Sequence, residues 1–300
     1  MINLIEDRWL EDKSKLPLSE SQKNIYFNAQ NTHYHANGCF FNIQSPKTLN
    51  DKIQWTKFFD QQKDTITCTD KILVKDFVKK ITGKDHYAKV LWQSNNLVSF
   101  SKNDLPKKFV LKTNNDSGTT FLVKDKDTFN FYSAFDKINN TLNSVYGTIY
   151  GEWSYQKLKP KVFVEEYIND GNNELASDYK FFCGKGEVFF CHHIYDRSSG
   201  QASEQIINAE GKQINYYLDP NFKKGSGFVK PDNWNEMVSL ASQLSKQFKL
   251  VRIDLYNSNN KIYVGEITFW PYAGIYKGED QKKISELIDL DNKTFLESVI

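Results

Sequence analysis

Two apolar segments near the carboxyl end carry charges where a buried strand should present hydrocarbon. Val251-Arg252-Ile253-Asp254-Leu255-Tyr256 and Val264-Gly265-Glu266-Ile267-Thr268-Phe269 flank the polar run Asn257-Ser258-Asn259-Asn260. Alternation along a strand sets Arg252 and Asp254 on one face, and Glu266 and Thr268 on one face of the next. With 257–260 as the turn, Tyr256 pairs with Lys261 and Asp254 faces Tyr263. Glu266 then falls opposite Val251, beside Arg252 and a few residues offset from Asp254. Two carboxylates in such surroundings repel each other unless a cation sits between them. A hard divalent ion such as Mg²⁺, which takes carboxylates together with phosphates, is one candidate. Arg252 alone is the other.

The same hairpin pattern recurs upstream. Residues 178–183 and 187–195 flank Gly184-Lys185-Gly186, and 109–112 and 119–124 flank the polar, flexible loop 113–118. Residues 161–168 read as a further short strand. Helical periodicity covers 49–60, 70–81 (Val74, Val78 and Ile81 on one face) and much of 127–158. Another helix carries Met237, Leu240, Ala241, Leu244 and Phe248 on one stripe, with Asn233 and Glu236 as a capping-box-like pair. Residues 11–45 look polar and irregular. Hairpins mixed with helices predict an α+β fold with antiparallel sheets rather than a doubly wound parallel one. Three hundred residues predict two or three lobes around separate cores.

Composition removes several classes. An aromatic share of 15% is too high for a disordered chain. No apolar run approaches the ~18 residues a spanning helix needs, so no transmembrane segment is expected. The first residues turn acidic before a signal-peptide core could form. A net charge of +2 gives no reason to expect nucleic acid as a partner, although the first 165 residues are basic in excess and the remainder acidic. Cys39, Cys68, Cys183 and Cys191 have no metal-site spacing, so reduced, buried thiols in a cytoplasmic protein are expected. His192-His193 point to opposite faces of their strand and read as structural or solvated, and His33-x-His35 lacks a third ligand nearby.

The remaining polar residues form a series. Lys112 ends an apolar strand just before Asn114, Ser117 and Gly118. A phosphate held by that lysine and by loop amides would satisfy it, as would simple exposure at a strand end. Glu165-Glu166-Tyr167 closes the strand 161–168. Asp178 and Lys180 share one face of the next hairpin, where a surface ion pair is the simplest reading. Arg252-x-Asp254 and Glu266-x-Thr268 complete the order. Walker-type, G-x-G-x-x-G, G-x-S-x-G and H-E-x-x-H motifs are missing.

That order, and the wording of eight blocks between residues 46 and 275, resembles the TupA-like branch of the ATP-grasp proteins. The blocks are LNDKIQW (49–55), TDKILVKDFV (69–78), LPKKFVLKTNNDSG (105–118), VFVEEYI (162–168), DYKFFCGKG (178–186), KPDNWNEM (230–237), VRIDLY (251–256) and GEITFWPYAG (265–274). The resemblance implies an ATP-grasp fold: two antiparallel-sheet lobes with ATP bound between them, plus a helical N-terminal region. The expected divisions are 1–105 (N-terminal, mostly helical), 106–165 (small lobe with the phosphate loop) and 166–300 (large lobe with metal ligands). It implies ATP and Mg²⁺ as cofactors. Lys112 would contact phosphates under a lid made by Asn114, Ser117 and Gly118. Glu165, Glu166, Tyr167 and Ile168 would form the adenine hinge, with Asp178 also on the nucleotide. Lys180 and Arg252 would be catalytic, and Asp254, Glu266 and Thr268 would hold metal. The chain departs from the pattern at Thr268, where most ATP-grasp enzymes have asparagine, and at Lys75, where the branch usually has arginine.

The expected activity is ATP-dependent carboxylate–amine ligation through an acyl phosphate. The family setting implies an amino acid and a uronic-acid-containing glycan or its precursor as substrates, with Tyr216, Tyr217, Trp270, Tyr272 and Tyr276 as sugar-stacking faces. A glycosyltransferase is the alternative; Asp125-Lys126-Asp127 and Asp289-Leu290-Asp291 match the Asp-x-Asp string such enzymes use for metal. A non-catalytic glycan-binding module is a third class, and it has no need of Lys112, Asp254 and Glu266 together.

Overall fold

The computed structural model describes residues 1–168, 177–196 and 200–288. Five helices come first: α1 (Ile2–Lys15), α2 (Lys23–Asn37), α3 (Leu49–Phe59), α4 (Thr65–Thr69) and α5 (Leu73–Thr82). Then follow β1 (Val90–Ser94), β2 (Phe109–Thr113), β3 (Thr120–Val123), α6 (Phe131–Leu142) and β4 (Val162–Glu166). The last part holds β5 (Asp178–Gly184), β6 (Glu187–Tyr195), β7 (Ser203–Ile207), β8 (Gln213–Ile214), β9 (Lys223–Lys224), α7 (Trp234–Ser245), β10 (Val251–Ser258), β11 (Lys261–Thr268) and α8 (Gln281–Glu286).

The strands make two sheets. One runs β1-β4-β2-β3 and is antiparallel throughout. The other runs β11-β10-β5-β6-β7-β8, also antiparallel, with β9 beside β7 as a short parallel addition. The α+β expectation holds. Each sheet has its own core among the described residues. Phe109, Leu111, Val123, Ile138, Val162 and Val164 fill the smaller one under α6. The larger contains Phe181, Val251, Ile253, Trp234 and Leu244, and it extends without a break to Trp9, Tyr26, Trp55 and Phe58 of the N-terminal helices.

Several local expectations need correction. Residues 11–45 are largely helical, because a few aromatics anchor otherwise polar helices: Trp9, Tyr26 and Phe41 are buried, and the Tyr26 hydroxyl donates to buried Asp12 at 2.6 Å. In α5, Phe77 takes the inward place beside Val74 and Val78, while Ile81 is exposed. After α6 only 3-10 turns follow, at 148–150 and 155–157. The smaller sheet takes its edge strand from 90–94, ahead of the expected start at 106. Loop 113–118 is no flexible cover: Thr113 to Asp116 are buried, and only Ser117 and Gly118 reach the surface. Asn233 accepts no cap bond; its amide nitrogen donates to Asn257 Oδ1 at 3.2 Å and to the Asn260 carbonyl at 3.1 Å.

The register of the last hairpin also differs. Its turn is two residues, Asn259 and Asn260, both left-handed (φ 51° and 61°), a conformation asparagine tolerates and two-residue hairpins require. A bulge follows at Gly265, where a Cβ would meet the Tyr256 ring at 2.5 Å. Together they set Asp254 directly opposite Glu266, and Arg252 opposite Thr268.

Helix α3 starts on a capping box, with Thr48 and Asp51 exchanging bonds of 3.0 Å. It ties the N-terminal helices to the chain beyond β11. Asn50, 2% exposed, donates to the Tyr276 carbonyl and accepts from the Tyr276 N–H, both at 2.9 Å. Asn50→Ala therefore leaves the buried Tyr276 N–H unpaired, while the Tyr276 carbonyl keeps the Gln281 amide. The substitution is expected to cost about 2 kcal/mol and to lower the melting temperature by roughly 4–8 °C. Thermal denaturation of this variant beside Val98→Ala, at a 92% exposed position expected to be silent, checks it.

Candidate active site

The cavity face of the larger sheet carries a polar row. Glu266, Asp254, Lys180 and His192 are paired in turn across β11, β10, β5 and β6. Arg252, one pleat along, closes this row into a network. Its Nε donates to Asp254 Oδ1 at 2.6 Å, and one terminal nitrogen donates to Asp254 Oδ2 at 2.8 Å, Glu266 Oε1 at 3.0 Å and Thr268 Oγ1 at 3.3 Å. Lys180 donates to Asp254 Oδ2 at 2.7 Å. Burial alone would raise the Asp254 carboxyl, but Arg252 and Lys180 overbalance it and hold it at about 2. His192 turns to Glu204 at 2.7 Å on the cavity face, and His193 stacks on Tyr179 from the other face.

Two cavities lie along this hairpin. One, of about 150 Å³, is bounded by Val110 and Leu122 of the smaller sheet, by Phe163, Glu165 and Ile168, and by Tyr256, Val264 and Gly265 of the larger. Three lysines line it: Lys71, Lys75 and Lys112. Glu165 is the counter-ion. It is salt-bridged to Lys112 and, at 2.8 Å, to Lys75. Burial pushes its carboxyl up, and the two lysines pull it below the ordinary range. Burial lowers Lys75 and Lys71. An apolar slot with three cations at its edge suits a nucleobase joined to a phosphate chain.

The second cavity, of about 420 Å³, holds Lys180, Arg252, Glu266 and Thr268 on its sheet side. Tyr146, Tyr150, Glu152 and Tyr155 line it from the segment after α6, and Trp270, Tyr272, Ala273 and Tyr276 from the segment after β11. Tyr272 and Ala273 are left-handed at φ 54°, a strained state for residues with side chains. Helix α3 holds them in it: Gln54 donates to the Ala273 and Gly274 carbonyls at 3.0 and 3.1 Å, and Lys57 to Tyr150 and Ala273 carbonyls at 2.7 and 3.0 Å.

The structure brings together Lys112, Glu165, Glu166 and Ile168 at the smaller cavity, and Lys180, Arg252, Glu266 and Thr268 at the larger, with Asp254 beneath them. Other expected residues sit elsewhere. Asn114 is buried and fully engaged, donating to Asp70 at 2.7 Å and accepting from the Lys161 N–H at 2.7 Å, so it pins the loop rather than covering anything. Ser117 lines the larger cavity, and Gly118 (φ 117°) supplies the loop's bend. Tyr167 lines neither cavity, and Asp178 bonds Tyr256. Tyr216 and Tyr217 lie under Lys283 and Lys224 instead of facing the cavity. Lys75, the position where the branch usually has arginine, belongs to the smaller cavity. Three buried cysteines are free as expected; Cys39 is exposed. Asp125-Lys126-Asp127 is a surface turn, with Asp125 paired to Lys107 at 3.0 Å, and Asp289-Leu290-Asp291 lies outside the described residues. Sequence reading missed Lys71, Lys57 and Glu152. Lys71 stands just ahead of α5, four residues before Lys75, and that repeated charge is the available signal.

A family model matches residues 51–289, that of the TupA-like ATP-grasp proteins. The chain belongs to the TupA-like ATP-grasp family. Similar solved structures include the D-alanine–D-alanine ligase of Bacillus anthracis complexed with ATP, 16% identical, TM-score 0.45, with 77% of this chain and 67% of that one covered. The VanG D-Ala:D-Ser ligase of Enterococcus faecalis is 14% identical at TM-score 0.44, covering 77% and 62%. An L-amino acid ligase of Bacillus licheniformis is 14% identical at 0.39, covering 67% and 43%. The assignment rests on the family match and not on these distant likenesses. No curated relative matches the chain. No described helix is long and apolar enough to cross a membrane.

Because the Asp254 carboxyl is more acidic folded than unfolded, its stabilising contribution is present above about pH 4 and is lost as pH falls toward its folded value of about 2. Denaturant titrations of wild type and Asp254→Asn between those limits are expected to show the stability gap narrowing by roughly 2 kcal/mol. A gap that stays constant with pH would contradict the assignment.

Proposed function

We propose that the chain joins an amino acid to the carboxylate of a uronic acid in a surface polysaccharide or its precursor, through an acyl phosphate and with release of ADP. The observation that carries this reading is that one hairpin serves both cavities. Val264 and Gly265 line the slot with three lysines, while the next residue, Glu266, opens into the larger cavity.

In this reading the base lies among Val110, Leu122, Phe163 and Ile168, and Lys71, Lys75 and Lys112 neutralise the phosphates. The terminal phosphoryl group reaches Lys180 and Arg252. A uronate oxygen attacks the γ-phosphorus, the bond to the β-phosphate oxygen breaks, and ADP leaves. The amine nitrogen then attacks the acyl carbon; phosphate departs and the amine gives up a proton. No protein nucleophile is needed, because fixed positive charge lowers the barrier to phosphoryl transfer. Tyr272, exposed and stacked on buried Tyr276, offers a ring suited to stacking on a sugar.

Mg²⁺ fits the donor set. Glu266, with 35% of its side chain exposed, and Thr268 present oxygens to the cavity, and Asp254 lies across the strand pair. No group of three His, Cys, Asp or Glu among the described residues would hold a metal unaided. This matches an ion bound by one or two carboxylates together with phosphates. When bound, it would neutralise charge on the phosphoryl oxygens.

Thermal melting with ATP or ADP plus Mg²⁺ is expected to shift upward, and UDP-sugars to leave it unchanged. With ATP, glucuronate or galacturonate saccharides and hydroxylamine, a hydroxamate and ADP are the expected products. AMP with pyrophosphate, or stabilisation by UDP-sugars alone, would overturn the reading. Lys180→Ala is expected to lower hydroxamate formation at least 100-fold while the ATP-induced melting shift persists, since the base and the other phosphates are held by other residues.

A further inference from the structure

The larger cavity is lined by two acidic groups for which the reading above has no use; Asp219 is held by Asn221 and by the Tyr272 hydroxyl, which leaves Glu152. Glu152 is only 6% exposed, yet it lines the cavity together with Tyr146 and Tyr155. Among the described residues no side chain donates a hydrogen bond to its carboxylate or forms an ion pair with it. The groups facing it are Lys57 of α3, Glu266 of β11 and the two tyrosines. Lys57 is fully buried, and its ammonium is committed to the Tyr150 and Ala273 carbonyls.

The backbone presses Glu152 into place. Gly147 is left-handed (φ 82°), its carbonyl accepts from the Glu152 N–H at 2.9 Å, and a Cβ there would meet the Glu152 carbonyl at 2.7 Å. An unpaired buried carboxylate is costly, so a fold that holds one against a cavity wall leaves room for a cation. Burial raises this carboxyl to about 7, with Lys57 partly offsetting it, which is the cost expressed as a proton affinity. On the sheet wall the cations Lys180 and Arg252 are already paired with Asp254 and Glu266, whereas Glu152, on the segment after α6, has no such pair among the described residues.

We propose that Glu152 binds the ammonium group of the amine substrate and so orients the amino acid toward the activated carboxylate. This rests on the ligase reading above, and it goes further by assigning the amine to a particular wall and a particular side chain. The substrate amine enters as a cation and sheds one proton to solvent before its nitrogen attacks, the second leaving as the amide forms; a nucleophile that is neutral throughout has no call on Glu152.

The test compares two nucleophiles in wild type, Glu152→Gln and Glu152→Asp. Ligation is followed with ATP, glucuronate or galacturonate saccharides, and each of the common amino acids; hydroxylamine, uncharged near neutral pH, serves as the second nucleophile. Glu152→Gln is expected to raise KM for the amino acid roughly ten- to a hundred-fold, with hydroxamate yield unchanged. Glu152→Asp, which keeps the charge, is expected to recover part of that loss. An unchanged KM, or an equal loss with both nucleophiles, would overturn the proposal while leaving the ligase reading intact. Failure of Glu152→Gln to fold would also overturn it, since the carboxylate would then be a structural counter-charge. Absence of hydroxamate from the wild type would remove the ligase reading itself, and this proposal with it.

Discussion

A buried guanidinium organises this protein. Arg252 reaches both carboxylates and the hydroxyl of the last hairpin, and Lys180 braces Asp254 from the neighbouring strand. Removing Arg252 would leave Asp254 and Glu266 face to face with only Lys180 to offset them, a defect costlier than the loss of one surface pair. The arrangement needs an uncommon register. Two left-handed asparagines and one bulged glycine bring Asp254 and Glu266 face to face instead of a few residues apart. Their mutual repulsion becomes tolerable because Arg252 spans them, and the same spacing leaves Glu266 open to the cavity.

The N-terminal helices are part of the same machine. They share the core of the larger sheet, and α3 contributes Asn50, Gln54 and Lys57 to hold the segment after β11. That segment is strained at Tyr272 and Ala273, and the strain persists only because buried side chains over-determine it. Trp270, Tyr272 and Tyr276 are thereby held along the larger cavity. On the other side of the site, a single counter-ion, Glu165, keeps Lys75 and Lys112 together in a place where their charges alone would drive them apart.

The residue order alone carried the fold class, the hairpins, the strand alternation that groups Arg252 with Asp254, and the family. These follow from short-range rules: period-two alternation, turn residues between apolar runs, and polar groups where an apolar strand has no reason for them. The family's motifs also supplied Lys112, Lys180 and Glu266 as a set, and the structure gathers them at two adjoining cavities.

What only the tertiary structure decided lies at longer range. Asn114 reads as a loop residue, but its amide is consumed by Asp70 and by the backbone at 159–161, segments far away in sequence. The helicity of residues 11–45 depends on burying a few aromatics against α3, which no local period reveals. Lys57 and Glu152 look like ordinary surface charges in their own segments. One is sealed beneath the cavity and the other is turned into it because α3, the turn at Gly147 and the segment after β11 converge there. Whether a charge is solvated or buried is set by what packs over it, and that is a property of the assembled chain rather than of any stretch of sequence.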